Sequence, residues 1–188
     1  MVIVQLGSNR GYDGLTKWIQ QNNPHITKLI LVEPFKEHHK SLEECYSLVE
    51  NKVIDSTAIG LCPGSFKLYW TPNDGPLFEV TSLVKDHVIK HWGNQVQIFE
   101  MDVEVKTLEQ LLDSYQLVDI DWLLIDVEGL DAEVALSFPW TKFNIKKVDI
   151  EYIHFGNKKQ MVLDMFKNLG YKPVLASDLY GYDIAFEK

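Results

Sequence analysis

The chain has 188 residues, 46% of them hydrophobic and 12% aromatic, which suits one globular domain over 1–188 able to bury about 70% of the surface its unfolded form would expose. Eighteen Lys and Arg against 27 Asp and Glu give a formal charge of −9, and this argues against nucleic acid as partner, because phosphate binding relies on clustered positive side chains. No apolar run approaches the roughly 20 residues of a membrane span, and the first residues carry no signal-peptide pattern, so a cytoplasmic protein without membrane attachment is expected.

The first apolar run, Val2–Leu6, has the continuous character of a strand buried on both faces of a parallel sheet. It enters the turn Gly7-Ser8-Asn9-Arg10-Gly11. Glycine there lets the backbone approach a ligand closely and reach positive φ, while Ser8 and Asn9 offer side-chain hydrogen bonds. The spacing is G-x-x-x-G. It matches neither the dinucleotide pattern G-x-G-x-x-G nor the phosphate loop G-x-x-x-x-G-K-[ST], which weakens both readings. Leu15, Trp18 and Ile19 then share one helical face.

Leu29–Val32 is the second strand and ends at Glu33, twenty-six positions after Gly7. An acidic side chain near this spacing commonly grips a ribose diol. A glycine turn without a phosphate clamp, followed by a ribose carboxylate, fits a nucleoside cofactor lacking a pyrophosphate, such as S-adenosylmethionine. His38, Leu42, Cys45, Tyr46 and Val49 form the next helical face, and Val53–Ile59 the third strand run. Cys45 and Cys62 are too few for a disulfide framework and read as free thiols in a reducing compartment.

From about 62 to 101 the alternation breaks. "CPGS" and "TPNDGP" turns surround "FKLYW", and "HVIKHWGNQVQIF" follows, a pattern that predicts extra strands or a flap inserted above the sheet. "FKLYW" and the region of Trp92 are candidate acceptor contacts, since aromatic faces pack against sugar rings and planar groups.

Leu108, Leu111, Leu112 and Tyr115 define another helix, and Trp122–Val127 another strand. That strand leads into Asp126-Val127-Glu128-Gly129. Strand alternation would put Asp126 and Glu128 on one side and Val127 on the other. Two such carboxylates can orient a cationic cofactor, hold a divalent ion, accept a proton or cap the following helix, and spacing alone does not choose. Val148–Ile153 repeats the design, with Glu151 directed toward the same rim and His154 at the strand end as a base suited to neutral pH. Met161, Val162, Met165, Phe166 and Leu169 form a helix closed by Gly170. "YKPVLAS" and "YDIAFEK", separated by a short Asp-Leu-Tyr-Gly turn, predict an antiparallel hairpin. The fold class expected is α/β: a doubly wound, mostly parallel sheet with an antiparallel strand at its end.

Taken together, "VQLGSNRGYDG", "LILVEPF", "STAIG", "VKTLEQLL", "WLLIDVEGLDAEV" and "VDIEYIHF" make the chain resemble the FkbM-type S-adenosylmethionine-dependent methyltransferases over nearly its whole length, with "IDVEG" the most discriminating piece. The resemblance implies a Rossmann-like class I methyltransferase sheet of seven strands whose last strand is antiparallel. It implies that Gly7, Ser8, Asn9 and Gly11 cradle the methionine end of the cofactor, that Glu33 holds the ribose, that Ala58 and Ile59 line the adenine, and that Asp126 with Glu128 borders the transferring methyl. Gln5 departs from the pattern, since such proteins commonly carry an acidic residue two before the first glycine, and the leading segment that covers the site in many relatives is absent.

The expected activity is O-methylation of a hydroxyl on a small-molecule or carbohydrate acceptor, with His154 or Glu128 as base and Asp126 positioning. A non-catalytic S-adenosylmethionine-binding module and a nicotinamide-dependent oxidoreductase are the rivals. Asp126, Glu128 and His154 also offer hard or borderline metal ligands, but no metal is assigned.

Overall fold

In a computed structural model that describes residues 1–75, 78–174 and 182–188, the chain forms β1 (Val2–Leu6), α1 (Gly14–Asn22), β2 (Lys28–Val32), α2 (His39–Cys45), β3 (Lys52–Asp55), β4 (Ala58–Ile59), β5 (Gly64–Trp70), α3 (Lys85–Trp92), β6 (Phe99–Lys106), α4 (Leu108–Ser114), β7 (Asp119–Ile125), α5 (Asp131–Ser137), β8 (Asn144–Glu151), α6 (Lys159–Asn168), β9 (Lys172–Val174) and β10 (Asp183–Glu187). Seven strands make one sheet in the order β3-β2-β1-β7-β8-β10-β9, and β4, β6 and β5 make a second of three.

In the large sheet β3, β2, β1, β7 and β8 run parallel, while β10 is antiparallel to both β8 and β9. The continuous apolar runs are explained by burial on two faces. Ile3, Leu29, Leu31 and Trp122 point one way, onto Leu15 and Ile19 of α1 and Leu42, Tyr46 and Val49 in and after α2. Val4, Leu6, Ile30, Val32, Leu123 and Ile125 point the other way, onto α4, α5 and α6 through residues such as Leu111, Val134 and Phe166. Each strand therefore spends both phases of its alternation on a core. The chain winds from β1 through β2 to β3 on one side and later from β7 to β8 on the other, so strand order reverses between β1 and β7. The carboxyl ends there form the crevice in which such sheets bind ligands.

Four expectations need correction. The run Val53–Ile59 is not one strand: the Asp55 carboxylate accepts hydrogen bonds from the Thr57 N–H at 2.9 Å and its hydroxyl at 2.6 Å, a local turn that ends β3 and sends β4 into the second sheet. Within the insertion, "FKLYW" is strand β5, paired antiparallel with β6, but His87–Trp92 is helical, closed by Gly93 at φ 89°; its Val88 is fully buried, and α3 packs against β5. The antiparallel strand β10 does not lie at the sheet's end, because β9 pairs beyond it and takes the edge. Finally, β7 stops at Ile125, before the acidic residues. The expected turn at 178–181, the end of "YKPVLAS" and the last proline of "TPNDGP" lie outside the described residues. Cys45 and Cys62 are both free thiols, and no described helix is long and apolar enough to cross a membrane.

Asp55 also joins the two sheets, since it accepts from Lys106 Nζ of β6 at 3.1 Å and from the Tyr115 hydroxyl at 2.8 Å. Burial alone would raise its carboxyl pKa, but the bonds from Thr57, Tyr115 and Lys106 outweigh burial and hold it below the usual value. A group whose folded pKa lies below its unfolded one stabilises at neutral pH and loses that contribution as pH falls through the folded value. Asp55→Asn is expected to lower unfolding free energy by about 2–3 kcal/mol at neutral pH and by less in acid. Urea denaturation at the two pH values measures the difference, and equal losses at both would refute the assignment.

Candidate active site

The crevice is built around one close approach. Gly7 has φ 72°, and a Cβ there would stand 1.7 Å from the Asp126 carbonyl oxygen, so no other residue fits. Gly7 and Ser8 both donate N–H to the Val32 carbonyl at 3.0 Å, and Asp126 N–H bonds the Leu6 carbonyl at 3.2 Å, which locks the turn to both neighbouring strands. Gly11, at φ 78°, fills the remaining corner, where a Cβ would press on Leu42, Cys45 and Tyr46 at 3.1 Å each.

Glu33, at the end of β2, is buried and points back at this turn. Its Oε2 accepts from Asn9 N–H at 2.8 Å and its Oε1 from Phe35 N–H at 2.7 Å, so the carboxylate is oriented by backbone. The departure at Gln5 has a structural answer. Gln5 Nε2 donates to Asp13 Oδ2 at 2.6 Å and Gln5 Oε1 accepts from the Tyr46 hydroxyl at 3.1 Å. Asp13, which also caps α1 by accepting Thr16 N–H at 2.9 Å, brings a carboxylate to the position the first strand lacks. The sequence signal was an Asp directly before the helical periodicity.

A cavity of about 540 Å³ lies over these strand ends. The ten residues expected from sequence to bind cofactor or act in catalysis, namely Gly7, Ser8, Asn9, Gly11, Glu33, Ala58, Ile59, Asp126, Glu128 and His154, line it. Asp13, Glu151 and, from the insertion, Phe78, Leu83 and Trp92 join them. Of "FKLYW", Leu68 alone lines the cavity among the described residues.

Asp126 and Glu128 do share the cavity, but strand alternation is not the cause. The chain has left β7, Glu128 takes the left-handed conformation at φ 52° and Gly129 follows at φ 96°, so the two side chains are aimed by a tight turn. Neither caps α5. Asp131, 1% exposed, accepts from the N–H groups of Val127 at 2.7 Å and Gly129 at 3.1 Å and holds the turn.

His87, on α3, is the residue that sequence reasoning missed. Its Nε2 lies 3.0 Å from Glu128 Oε2, and His154 Nε2 lies 4.0 Å from the same oxygen and 3.6 Å from Glu151 Oε2. The two imidazoles meet edge to face with centroids 4.5 Å apart. The insertion is pinned here: Ser82 donates its hydroxyl to the Glu128 carbonyl at 2.6 Å, and a Cβ on Gly129 would strike His87 Nδ1 at 2.6 Å. The available signal was the helical spacing of His87, Val88 and His91, masked by a β-rich composition.

So many carboxylates in one buried place perturb one another. Burial, then repulsion from Glu128 and Asp131, pushes Asp126 well above the ordinary carboxylate range. Burial and the Asp131 charge raise Glu128 to about 8, and burial with Asp126 and Glu128 raises Glu151 to about 10. Burial also raises Asp131, to about 6, against the pull of its backbone hydrogen bonds. The imidazoles move the opposite way: burial and then His87 lower His154 to about 4, and burial lowers His87.

Comparison with known proteins agrees with this architecture. A crystal structure of the methyltransferase FkbM from Methylobacillus flagellatus KT superposes with a TM-score of 0.59 at 12% identity, over 98% of this chain and 43% of that one. The chain thus spans less than half the length of that protein, and the likeness is one of fold. No curated protein matches the sequence. Residues 5–173, most of the chain, match the model of the methyltransferase FkbM domain, and the chain belongs to that family.

Proposed function

We propose that this chain transfers a methyl group from S-adenosylmethionine to a hydroxyl of a small, neutral, sugar-like acceptor. The observation that supports it most is the meeting, in one cavity, of a side-chain-free glycine turn and an oriented ribose-type carboxylate with an acid and imidazole cluster. When bound, S-adenosylmethionine supplies a methyl group on a positively charged sulfur, electrophilic enough that an oxygen needs alignment and loss of its proton.

The residues present suit that cofactor. Where Gly7 lacks a side chain, the backbone can lie against the methionine end. Each Glu33 oxygen uses one acceptor position on backbone N–H, which leaves a second for a ribose hydroxyl. Ala58 and Ile59, 5% and 4% exposed, offer an apolar wall for a planar base. Seven carboxylates line the cavity (Asp13, Glu33, Asp74, Glu79, Asp126, Glu128 and Glu151), against Arg10 as the one Arg or Lys among the described lining residues. That balance suits a sulfonium, which would draw the raised Asp126, Glu128 and Glu151 back toward ionisation, better than an anionic acceptor. It disfavours a dinucleotide, as the glycine spacing already did.

The acceptor enters past an aromatic rim. Tyr12, Trp92 and Tyr182 are 69%, 37% and 51% exposed and all border the cavity. Exposed rings above acidic groups favour a polyol, whose C–H faces stack while its hydroxyls bond carboxylates. Asp126 positions the hydroxyl. Its proton passes to the cluster of Glu128 and His154, whose imidazole is neutral near pH 7 and holds a lone pair at Nε2 or Nδ1.

Two outcomes are expected. Glu33→Ala should weaken S-adenosylmethionine binding about 10- to 100-fold, the worth of hydrogen bonds to a charged group, measured by calorimetry; unchanged affinity would remove Glu33 from the cofactor site. His154→Ala and Glu128→Gln should each lower kcat by roughly 10²- to 10⁴-fold while cofactor affinity stays within a few-fold. Transfer from labelled cofactor across a panel of neutral, cationic and anionic hydroxyl compounds measures both rate and acceptor class. No transfer to any of them would point instead to a module that binds the cofactor without catalysis.

A further inference from the structure

We propose that His87, Glu128 and His154 bind one divalent first-row transition-metal ion at the wall of the cavity, which Glu128 and His154 line. The three donor atoms come from three separate parts of the fold: α3 of the insertion, the turn after β7 and the segment after β8. They nevertheless converge to within 4.8 Å of one another. The Nε2 atoms of both imidazoles face the same carboxylate oxygen, Glu128 Oε2, at 3.0 and 4.0 Å. Donors on a common tetrahedral zinc-type ion stand about 3.4 Å apart, so an ion fits between these atoms with side-chain shifts of well under 1 Å for the two printed distances.

A hydrogen-bonded His–Glu pair would account for His87 and Glu128. It does not account for His154, which turns its Nε2 toward a carboxylate already engaged and stays beyond hydrogen-bond reach of it. A second observation points the same way. Glu151 is 8% exposed, and its Oε2 is buried with no hydrogen-bond partner, 3.6 Å from His154 Nε2. A buried acceptor oxygen left without a donor is costly, and a cation beside it removes the cost.

Donor chemistry sets the ion class. Two imidazoles and one carboxylate on one side, with the remaining positions open, suit zinc, iron(II), manganese or cobalt, whereas calcium and magnesium prefer oxygen ligands throughout. The nearby trio Asp126, Asp131 and Glu151 is the weaker candidate. Both Asp131 oxygens already accept backbone N–H bonds that hold the turn.

The site also explains Gly129. Any side chain there would displace His87, because its Cβ would lie 2.6 Å from His87 Nδ1. The ion's role rests on the methyl-transfer reading: it would hold an acceptor hydroxyl oxygen, with Glu128 and His154 serving as its ligands in place of taking the proton themselves. A hydroxyl bound to such an ion releases its proton, to water in the cavity, more readily. The binding itself depends on neither cofactor nor acceptor.

The test uses untagged protein stripped with chelator and titrated with cobalt(II), followed by visible ligand-field absorption, zinc competition and elemental analysis. One equivalent per chain with intense four- or five-coordinate bands is expected. His87→Ala and His154→Ala should each weaken cobalt affinity by at least about 100-fold, the upper range seen for loss of supporting residues around metals, while S-adenosylmethionine still binds. Electron paramagnetic resonance of copper(II) on the unaltered protein should show two imidazole nitrogens, which keeps the question decidable if a variant does not fold. Absence of saturable binding, weak bands of an all-oxygen site insensitive to His87→Ala, or fewer than two bound nitrogens would each overturn the proposal. Metal bound without methyl transfer leaves the site standing and removes the proposed activity; methyl transfer that survives complete metal removal does the reverse for the ion's role.

Discussion

The molecule is organised by a contact in which a side chain is forbidden. At Gly7 a single added carbon would lie 1.7 Å from the Asp126 carbonyl oxygen, about half of a van der Waals separation. Because nothing intervenes, the turns leaving β1 and β7 can touch. The strands beneath them end level: Leu6 pairs with both Val32 and Ile125. Three loops therefore emerge at one height, at the point where strand order reverses. A nucleoside-sized crevice follows from that coincidence of sheet register and one absent side chain, before any charged group is considered.

Charge is then added at a cost to stability. Burial raises the pKa values of Asp126, Glu128, Asp131 and Glu151, and neighbouring carboxylates raise those of Asp126, Glu128 and Glu151 further. Such a cluster is not designed for stability, since apolar residues of similar size would pack there without penalty. Asp131 is compensated by two backbone N–H groups. The others face the cavity, where an incoming cation or proton offsets them. The left-handed Glu128, a conformation that glycine tolerates better, belongs to the same pattern of local strain held by the surrounding structure. Sites that hold such strain give up stability for chemistry.

How far the sequence spoke depended on whether a signal was local. The buried strands, the glycine turn, Glu33 and the acidic turn were legible because strand periodicity and turn chemistry act within a few residues. The hairpin direction was legible for the same reason, yet the position of β10 between β8 and β9 was not, because pairing partners are set by the whole sheet. Asp55 shows a finer limit: its side chain breaks an apolar run that otherwise reads as one strand, and the bonds that make it do so include Lys106 and Tyr115, more than fifty residues away. His87 was hidden twice over. It lies in a segment rich in β-formers that tertiary packing makes helical, and its partner Glu128 is forty-one residues distant. Asp126 and Glu128 do reach one cavity, but a turn rather than strand alternation aims them.

The insertion gives the fold a division of labour. Gly7, Glu33 and Asp13 are positioned by the large sheet and its first helix, so under the proposed function affinity for the cofactor would reside in that scaffold. The acid–imidazole cluster is not positioned by these alone: His87 belongs to α3, and Ser82 ties the same segment to the Glu128 carbonyl. The insertion is anchored again at its far end, where Lys106 of β6 meets Asp55 of β3. Two anchors of this kind fix α3 against the acidic turn while leaving the rim, with Trp92, free to vary in side chain. Under the proposed function, changes at the rim would alter which acceptor is admitted and leave the glycine turn and Glu33 in place, whereas a shift of α3 would move His87 away from Glu128. The segment that breaks the strand–helix alternation is the one that joins Trp92 at the rim to His87 in the acid–imidazole cluster.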